Sequence, residues 1–195
     1  MRRKLICAAA ATLIATPAAA LDLPARKPGL WEIKTMMEGG FQPTHVAQHC
    51  IDAETDKLMN TMGADMRKEA CSKQDVRKDG ATYVIESVCK FGPMTSTSHG
   101  VITGDFNSAY TLKMTSKRDG GPNFPGMSNM PGMPADGTSK MTIEAKWLSA
   151  CTADQKPGDM IMAGGRKVNI HDIQSMQNRM QDMMKNMPKG MYPKN

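Results

Sequence analysis

The chain has 195 residues, 40% of them hydrophobic, and a formal net charge of +6, which suits one globular domain. Its basic residues cluster at turns such as "RKDG" and "SKRDGG" and form no long basic block, so the charge argues against a nucleic-acid partner. No stretch after the N-terminus is apolar over enough residues to span a bilayer.

The first 20 residues have the three-part pattern of a secretory signal. Arg2, Arg3 and Lys4 form a basic start, and an apolar run from Leu5 to Ala15 follows. This run is shorter than the roughly 20 residues that a membrane-spanning helix needs. We therefore predict cleavage after Ala20, which small residues precede, and an exported protein in the periplasm.

The next segment predicts two strands and a helix after a Pro-rich lead-in. "GLWEIKTMME" (29–38) alternates as a half-buried strand does, and "PTHVAQHCI" (43–51) is interpreted as a second strand. Asp52 has the position of a helix N-cap, and acidic residues follow it in "AETDKLMNTMGADMRK". The apolar edge of this helix is formed by Leu58, Met59 and Met62.

Four cysteines lie outside the signal, and an even number in an exported chain predicts two disulfides. "CSKQDVRKDGATYVIESVCKFG" (71–92) predicts a hairpin that turns at Asp79-Gly80. A two-residue turn would pair Lys78 with Ala81 and place Cys71 and Cys89 on opposite faces. A three-residue turn would pair Lys78 with Thr82 and place Cys71 directly opposite Cys89. Three connectivities exist, and the second register favours Cys71–Cys89 with Cys50–Cys151.

The remaining strands predict a meander. "MTSTSHGVITGDFNSAYTLKMTSK" (94–117) is interpreted as two strands joined around Gly104-Asp105, and "TSKMTIEAKWLSAC" (138–151) as another, with a flexible loop over about 118–137 between them. Residues 152–195 are interpreted as a linker and a C-terminal helix that begins near Asn169. Its apolar stripe consists of Ile170, Ile173, Met176, Met180, Met183, Met184 and Met187.

The predicted fold class is α+β. The signal (1–20) precedes a disulfide-stabilised β-rich domain over 27–151, an antiparallel meander that is flat or curled into a partial barrel, with an early helix. The C-terminal Met-rich helix has two interpretations. It docks on the open face of the sheet, or it serves as a lid over an apolar cavity or as a partner-binding helix.

The order of several short motifs resembles one family of exported bacterial proteins, known as domain of unknown function 3617 (DUF3617). The motifs are "KPGLWE" (27–32), "HCI" (49–51), Cys71, Cys89 within "VCK", and "WLSAC" (147–151). The resemblance covers about 27–151 and leaves 152–195 outside. It implies a periplasmic or envelope location, and it implies no activity.

The loop segment "NFPGMSNMPGMP" is a candidate metal site. Met127, Met130 and Met133 lie three residues apart, and polyproline II has three residues per turn, so all three thioethers would line one edge. Thioether sulfur is a soft ligand that favours Cu(I), and Ag(I) is chemically similar. The alternative is a connecting loop whose methionines have no metal role, or one that binds a partner.

Other candidate chemistry is weakly supported by the sequence. His45 and His49 lie four residues apart, but a strand would separate them by about 13 Å, which is too far for one metal ion. We find no recognised catalytic motif such as GxSxG or HExxH. We therefore expect a non-enzymatic envelope protein with a binding or structural role; Cu(I) binding and small apolar ligand binding are the alternatives.

Overall fold

The computed structural model describes residues 23–38, 44–120 and 137–186, which form an antiparallel sheet of nine strands and two helices. The predicted signal, the Ala20 cleavage site and the loop methionines lie outside these ranges. No helix among the described residues is apolar over a length that could cross a bilayer. The elements are β1 (Gly29–Met37), β2 (Thr44–Ile51), α1 (Ala53–Ala70), β3 (Cys71–Asp79), β4 (Thr82–Phe91), β5 (Met94–Asp105), β6 (Ala109–Asp119), β7 (Thr138–Ser149), β8 (Asp159–Ile161), β9 (Lys167–Asn169) and α2 (Ile170–Lys185).

The strand order confirms the predicted α+β class with an antiparallel meander. Strands β3 to β7 are neighbours in chain order, and the sheet then continues through β1, β2, β8 and β9. Every neighbouring pair is antiparallel. The edge strands β3 and β9 do not pair with each other within the described ranges, so the sheet is open and not a closed barrel.

Helix α1 links β2 to β3 and contacts β2, β3 and β4. Its 18 residues give a length of about 27 Å, and β2 lies five strand steps from β4, about 24 Å in a flat sheet. The helix is therefore long enough to cross one face of the sheet between these strands. The predicted N-cap is confirmed, because the Asp52 carboxylate accepts a hydrogen bond from the Thr55 amide at 2.8 Å.

The segment around "KPGLWE" is fixed by both tryptophans. The indole Nε1 of Trp31 donates to the Lys27 carbonyl at 2.8 Å, and that of Trp147 donates to the Pro28 carbonyl at 3.1 Å. The Lys27 ammonium lies 3.6 Å from the centre of the Trp147 ring. Gly29 has a φ of +132°, and a Cβ atom there would lie 2.6 Å from the Trp147 Nε1 atom. Glycine is therefore required where the indole approaches the backbone.

The β3–β4 hairpin is confirmed, but both predicted turn registers are wrong. Asp79 pairs with Thr82, so the loop consists of Gly80 and Ala81. Gly80 has a φ of +59°. A two-residue turn with glycine at its first central position needs this left-handed geometry, which glycine adopts at little cost.

Cys71 still lies opposite Cys89, because a β-bulge shifts the register between Cys71 and Lys73. Lys73 pairs with Val88, so a regular ladder would place Ser72 opposite Cys89 and leave Cys71 on the other face. The extra residue in β3 corrects this offset. The opposed cysteines thus depend on the bulge and not on the turn.

The turn between β5 and β6 also lies later in the chain than predicted. Strand β5 continues through Gly104 and Asp105, and the turn consists of residues 106–108. The Asp105 Oδ1 atom accepts hydrogen bonds from the amides of Asn107 and Ser108, both at 2.7 Å. This side chain closes the turn after the Gly-Asp pair and so moves it by about two residues.

The segment after residue 151 contributes more than a linker and a helix. Strands β8 and β9 add to the sheet beside β2. Helix α2 then begins at Ile170, and its main contacts are with α1 and β9. The expectation that α2 docks on the open face of the sheet, or covers a cavity there, is therefore wrong. The short β9 strand leads directly into α2 and holds it at the edge of the sheet.

Candidate functional site

One face of the sheet, here called the inner face, carries the hydrophobic core at one end. Trp31, Ile51 and Ala145 are 0%, 1% and 2% exposed, and Met59 from α1 packs against them. Tyr110 extends this cluster, since its ring centroid lies 5.9 Å from that of Trp31. Burial is deepest at this end because the first turns of α1 and the N-terminal segment cover the sheet here.

The same face continues into an apolar patch that is only partly buried, although α1 crosses this face on its way from β2 to β3 and β4. We call it the open patch; it consists of Ile85, Leu112, Met114, Met141 and Ile143. Leu112 pairs with Ile143, and Met114 pairs with Met141, so the side chains form two adjacent rungs across β6 and β7. Outward-facing neighbours such as Thr115 are exposed.

Gly100 of β5 has no side chain, and this leaves room for the side chains of the open patch. It pairs with Met114, and a Cβ atom at Gly100 would lie 3.1 Å from the Leu112 Cδ1 atom and 3.5 Å from the Met114 Cε atom. The missing side chain therefore lets two apolar side chains from β6 lie across β5. The patch can hold an apolar group by contact but contains no charged or nucleophilic side chain.

A buried polar cluster lies beside the core, where the N-terminal segment meets α1. The Asp56 carboxylate is completely buried and accepts hydrogen bonds from the Arg26 backbone amide at 2.9 Å and from its Nε atom at 2.8 Å. The Arg26 Nη2 atom also lies 3.6 Å from the Met59 sulfur. Burial raises the pKa of the Tyr110 hydroxyl, which Arg26 approaches.

His49 belongs to the same cluster and is held neutral. Burial, and secondarily the positive charge of Arg26, lower the pKa of His49 to about 4. Its Nδ1 atom is buried and has no hydrogen-bond partner in the described structure. Because Arg26 lies nearby, the cluster disfavours a bound cation. We interpret it as the anchor of the N-terminal segment, because Asp56 of α1 holds Arg26.

Sequence reasoning did not find this cluster. Asp56 was interpreted only as one of the acidic residues that favour a helix N-terminus. Arg26 lies 30 residues earlier, so no local pattern links the two.

The predicted cysteine pairs are both placed at disulfide distance. The Cα atoms of Cys50 and Cys151 lie 5.6 Å apart, and those of Cys71 and Cys89 lie 3.7 Å apart. This is the connectivity that the hairpin register favoured. The first pair joins β2 to the segment just after β7, and the second joins the edge strand β3 to β4.

The predicted metal ligands are not brought together by anything that the structure describes. Met127, Met130 and Met133 lie in 121–136, outside the described ranges. His45 is exposed and His49 lies in the buried cluster, at opposite ends of one strand. The described residues contain no group of three or more His, Cys, Asp or Glu side chains that could hold a metal ion.

Two shallow depressions in the described surface avoid the open patch. The first, of about 520 Å³, lies in the β8–β9 region and is lined mainly by polar residues such as Asp159 and Lys167. The second, of about 320 Å³, lies at the hairpin ends beside Tyr83 and Phe106. In the first, the Lys167 ammonium lies 3.5 Å from the Asp159 carboxylate, so these two charges partly offset each other.

Comparison with known proteins identifies a family but no activity. No curated protein and no solved structure matches the chain. Residues 26–151 match the model of a family described as protein of unknown function (DUF3617). The match spans well over half of the chain, from Arg26 of the buried cluster to the last cysteine, and so the chain belongs to the DUF3617 family.

Proposed function

We propose that this chain is an exported, non-enzymatic protein of the bacterial envelope that binds a small apolar ligand on the open patch. The observation that carries the proposal is the contrast along one sheet face. Trp31 and Ala145 are sealed at one end, whereas Met114 and Met141 remain partly exposed at the other. A contiguous apolar patch of this kind commonly marks a binding surface.

The architecture of the face supports a ligand in this position. Antiparallel strands keep the patch rigid, because each side chain is held by paired neighbours on both sides. Methionine thioethers are flexible and polarizable, so Met114 and Met141 can adapt to ligands of different shapes. A rigid sheet with adaptable methionine side chains suits binding of an apolar group through van der Waals contacts. It does not suit recognition of one charged substrate.

Export is supported by the basic and apolar start of the sequence and by four cysteines placed in two pairs. Mass measurement of the protein purified from a periplasmic fraction tests this part. We expect a mature chain that begins at Leu21. A full-length chain in the cytosol would contradict export.

Binding is tested with N-phenyl-1-naphthylamine, a neutral dye that fluoresces in apolar surroundings. Met114→Glu places a charge in the open patch, and the matched control Thr115→Glu places it on the opposite face of the same strand. We expect the first variant to weaken dye binding at least tenfold and the second to leave it within twofold. Equal binding by both variants would contradict the proposal.

The natural ligand is tested by mass spectrometry of organic extracts from freshly purified protein. We expect an apolar compound in the extract of the wild type and of Thr115→Glu, and its loss from Met114→Glu. Circular dichroism of the three proteins checks that the sheet is intact. An extract without any apolar compound would count against a tightly held ligand.

A further inference from the structure

The open patch is bordered by a row of serine side chains that crosses four strands. The row lies on β4, β5, β6 and β7, where neighbours pair in register, and it consists of Ser87, Ser98, Ser116 and Ser139. Each serine lies two residues along its strand from the rung that contains Met114 and Met141, so it faces the same way. We call these four residues the serine row. The inner face therefore changes from apolar to polar over about 7 Å, two residues of an extended strand.

The hydroxyls of the serine row can bind another molecule. Those of Ser98 and Ser116 lie 2.8 Å apart and share one hydrogen bond. The Ser139 hydroxyl donates to the Ser116 backbone carbonyl at 3.4 Å, which is long for a hydroxyl donor. Because each hydroxyl provides one donor and two acceptor lone pairs, these contacts use only part of the capacity of the row. All four serines are half-buried and so remain accessible.

Arg118 brings a positive charge to the same end of the inner face. It follows Ser116 by two residues on β6, pairs with Ser96 and is half-buried. No ion pair within the described ranges involves its guanidinium. Its neighbour Asp119 lies on the opposite face, 4.0 Å from Lys117. The charge of Arg118 therefore lacks a carboxylate partner among the residues that the structure describes.

The strands that carry the serine row place their acidic residues on the opposite face. These residues alternate with the inner-facing positions and are Glu86, Asp105, Asp119 and Glu144. The apolar patch, the serine row and Arg118 thus follow one another along one face, and the charge at its polar end is positive. Such a surface is complementary to a molecule that has an apolar tail and an anionic head.

We propose that the ligand of the open patch is a single-chain amphiphile with a carboxylate head, of the fatty acid class. This inference rests on the proposed function and adds the class and the orientation of the ligand. The alkyl chain lies over Met114 and Leu112, and the carboxylate accepts hydrogen bonds from the serine row and from Arg118. The planar guanidinium presents two parallel donors that match a carboxylate. From Leu112 to Arg118 the strand extends about 20 Å, which accommodates an extended chain.

Other apolar ligands fit the same face less well. A hydrocarbon without a head that reached the serine row would cover its hydroxyls without hydrogen bonds, which is unfavourable. A cationic head would meet Arg118 and no acidic side chain from β4 to β7 on this face. The head group of the ligand is therefore the property that distinguishes these classes.

The test compares decanoate, decanol and decyltrimethylammonium, which share one chain length and differ in the charge of the head. Displacement of N-phenyl-1-naphthylamine by each compound gives its affinity. Arg118→Met removes the positive charge of the inner face. The matched control Lys117→Met removes the charge of a side chain that is 62% exposed on the opposite face of the same strand.

We expect the ratio of decanoate to decanol affinity to fall about fivefold or more in Arg118→Met, because a hydrogen bond to a charged group is stronger than a neutral one. The cationic compound should bind more tightly to this variant than to the wild type. Lys117→Met should keep the ratio of the wild type within twofold, and both variants should bind the dye normally. Added salt should weaken decanoate but not decanol, because ions screen a half-buried charge.

The serine row is tested by Ser98→Ala combined with Ser116→Ala. The control combines Thr97→Ala with Thr115→Ala, which lie on the opposite face of the same strands. Only the serine variant should lower the decanoate to decanol ratio. A ratio that is unchanged in both Arg118→Met and the serine variant would overturn the carboxylate head and leave apolar binding intact. A wild type that does not bind the dye would instead contradict the open patch, and this inference with it.

Discussion

Arg26 binds Asp56 through two hydrogen bonds, one from its backbone amide at 2.9 Å and one from its Nε atom at 2.8 Å. The two residues lie 30 positions apart, and the pair ties the segment before β1 to the first turn of α1. The Asp56 side chain is 0% exposed and that of Arg26 only 10%. Water has little access to either side chain, so each charge is stabilised mainly by the other.

Removal of one partner from this pair should be strongly destabilising. We expect Arg26→Met to lower the free energy of unfolding by about 3–5 kcal/mol, because the Asp56 carboxylate is left buried without a counter-charge. The double change Arg26→Met with Asp56→Leu should recover much of this loss. Urea unfolding followed by circular dichroism measures all three proteins.

The matched control for this prediction is an exposed ion pair. Lys140 lies 3.5 Å from Glu38, with side chains 58% and 72% exposed. Lys140→Met should cost less than about 1 kcal/mol, because solvent screens such pairs. Similar losses for Arg26→Met and Lys140→Met would show that burial of Asp56 has no energetic consequence.

Protonation of His49 should make the fold less stable in mild acid. Its pKa is about 4 in the folded chain, compared with a usual value of 6.5. The unfolded chain therefore binds the proton first, and stability falls as the pH drops from about 6.5 towards 4. Between pH 7 and pH 5 we expect a loss of about 2 kcal/mol from this group.

His49→Gln tests this effect, with His45→Gln as the control on the same strand, where His45 is exposed. Urea unfolding at pH 7 and pH 5 gives the change in stability for each protein. The loss should be about 2 kcal/mol smaller in His49→Gln than in the wild type and unchanged in His45→Gln. An equal loss in all three proteins would place the titrating group elsewhere.

The two cysteine pairs should differ in their contribution to stability. Cys50 and Cys151 are 101 residues apart, whereas Cys71 and Cys89 are 18 apart. In the chain-entropy account a disulfide over the long loop contributes about 4.7 kcal/mol and one over the short loop about 3 kcal/mol. Replacement of the first pair by alanine should therefore be the more destabilising change by roughly 1–2 kcal/mol.

Peptide mapping without reduction establishes the pairing that this comparison assumes. We expect one peptide pair that contains Cys50 and Cys151 and another that contains Cys71 and Cys89. Urea unfolding of the two double-alanine variants then measures the difference. A peptide that links Cys50 to Cys71 would overturn the connectivity itself.

Gly29→Ala should disturb the contact between β1 and β7. The φ of +132° is strained for any other residue, and the new Cβ would meet both the Trp147 Nε1 atom and the Ser149 carbonyl oxygen. Strain and overpacking each cost about 1–3 kcal/mol, so we expect a loss of at least about 2 kcal/mol. The control is Gly80→Ala, at a φ of +59° with open space around it.

The control variant should lose only about 1–2 kcal/mol, because the backbone cost is present without a steric clash. Thermal unfolding of both variants gives the comparison. If Gly80→Ala is as harmful as Gly29→Ala, the contact with Trp147 does not explain why glycine follows Pro28.

Much of the local structure was predictable because its causes lie within a few residues. The alternation through Trp31 and Ile33 predicts β1, and Asp52 followed by acidic residues predicts the start of α1. The short strands β8 and β9 were missed because three residues are too few to show a period. Their pairing with β2 gives them their structure.

The β-rich class, the four cysteines after residue 20 and the helical period of α2 can be read from the chain alone, since neighbouring residues carry these patterns. The bulge that brings Cys71 opposite Cys89, the contact of Arg26 with Asp56 and the exposure of Met176 follow from the folded arrangement and not from any local pattern. Register, burial and charge pairing arise between segments far apart in the chain. The energies of contact and desolvation depend on which segments meet, and a local pattern does not contain that information.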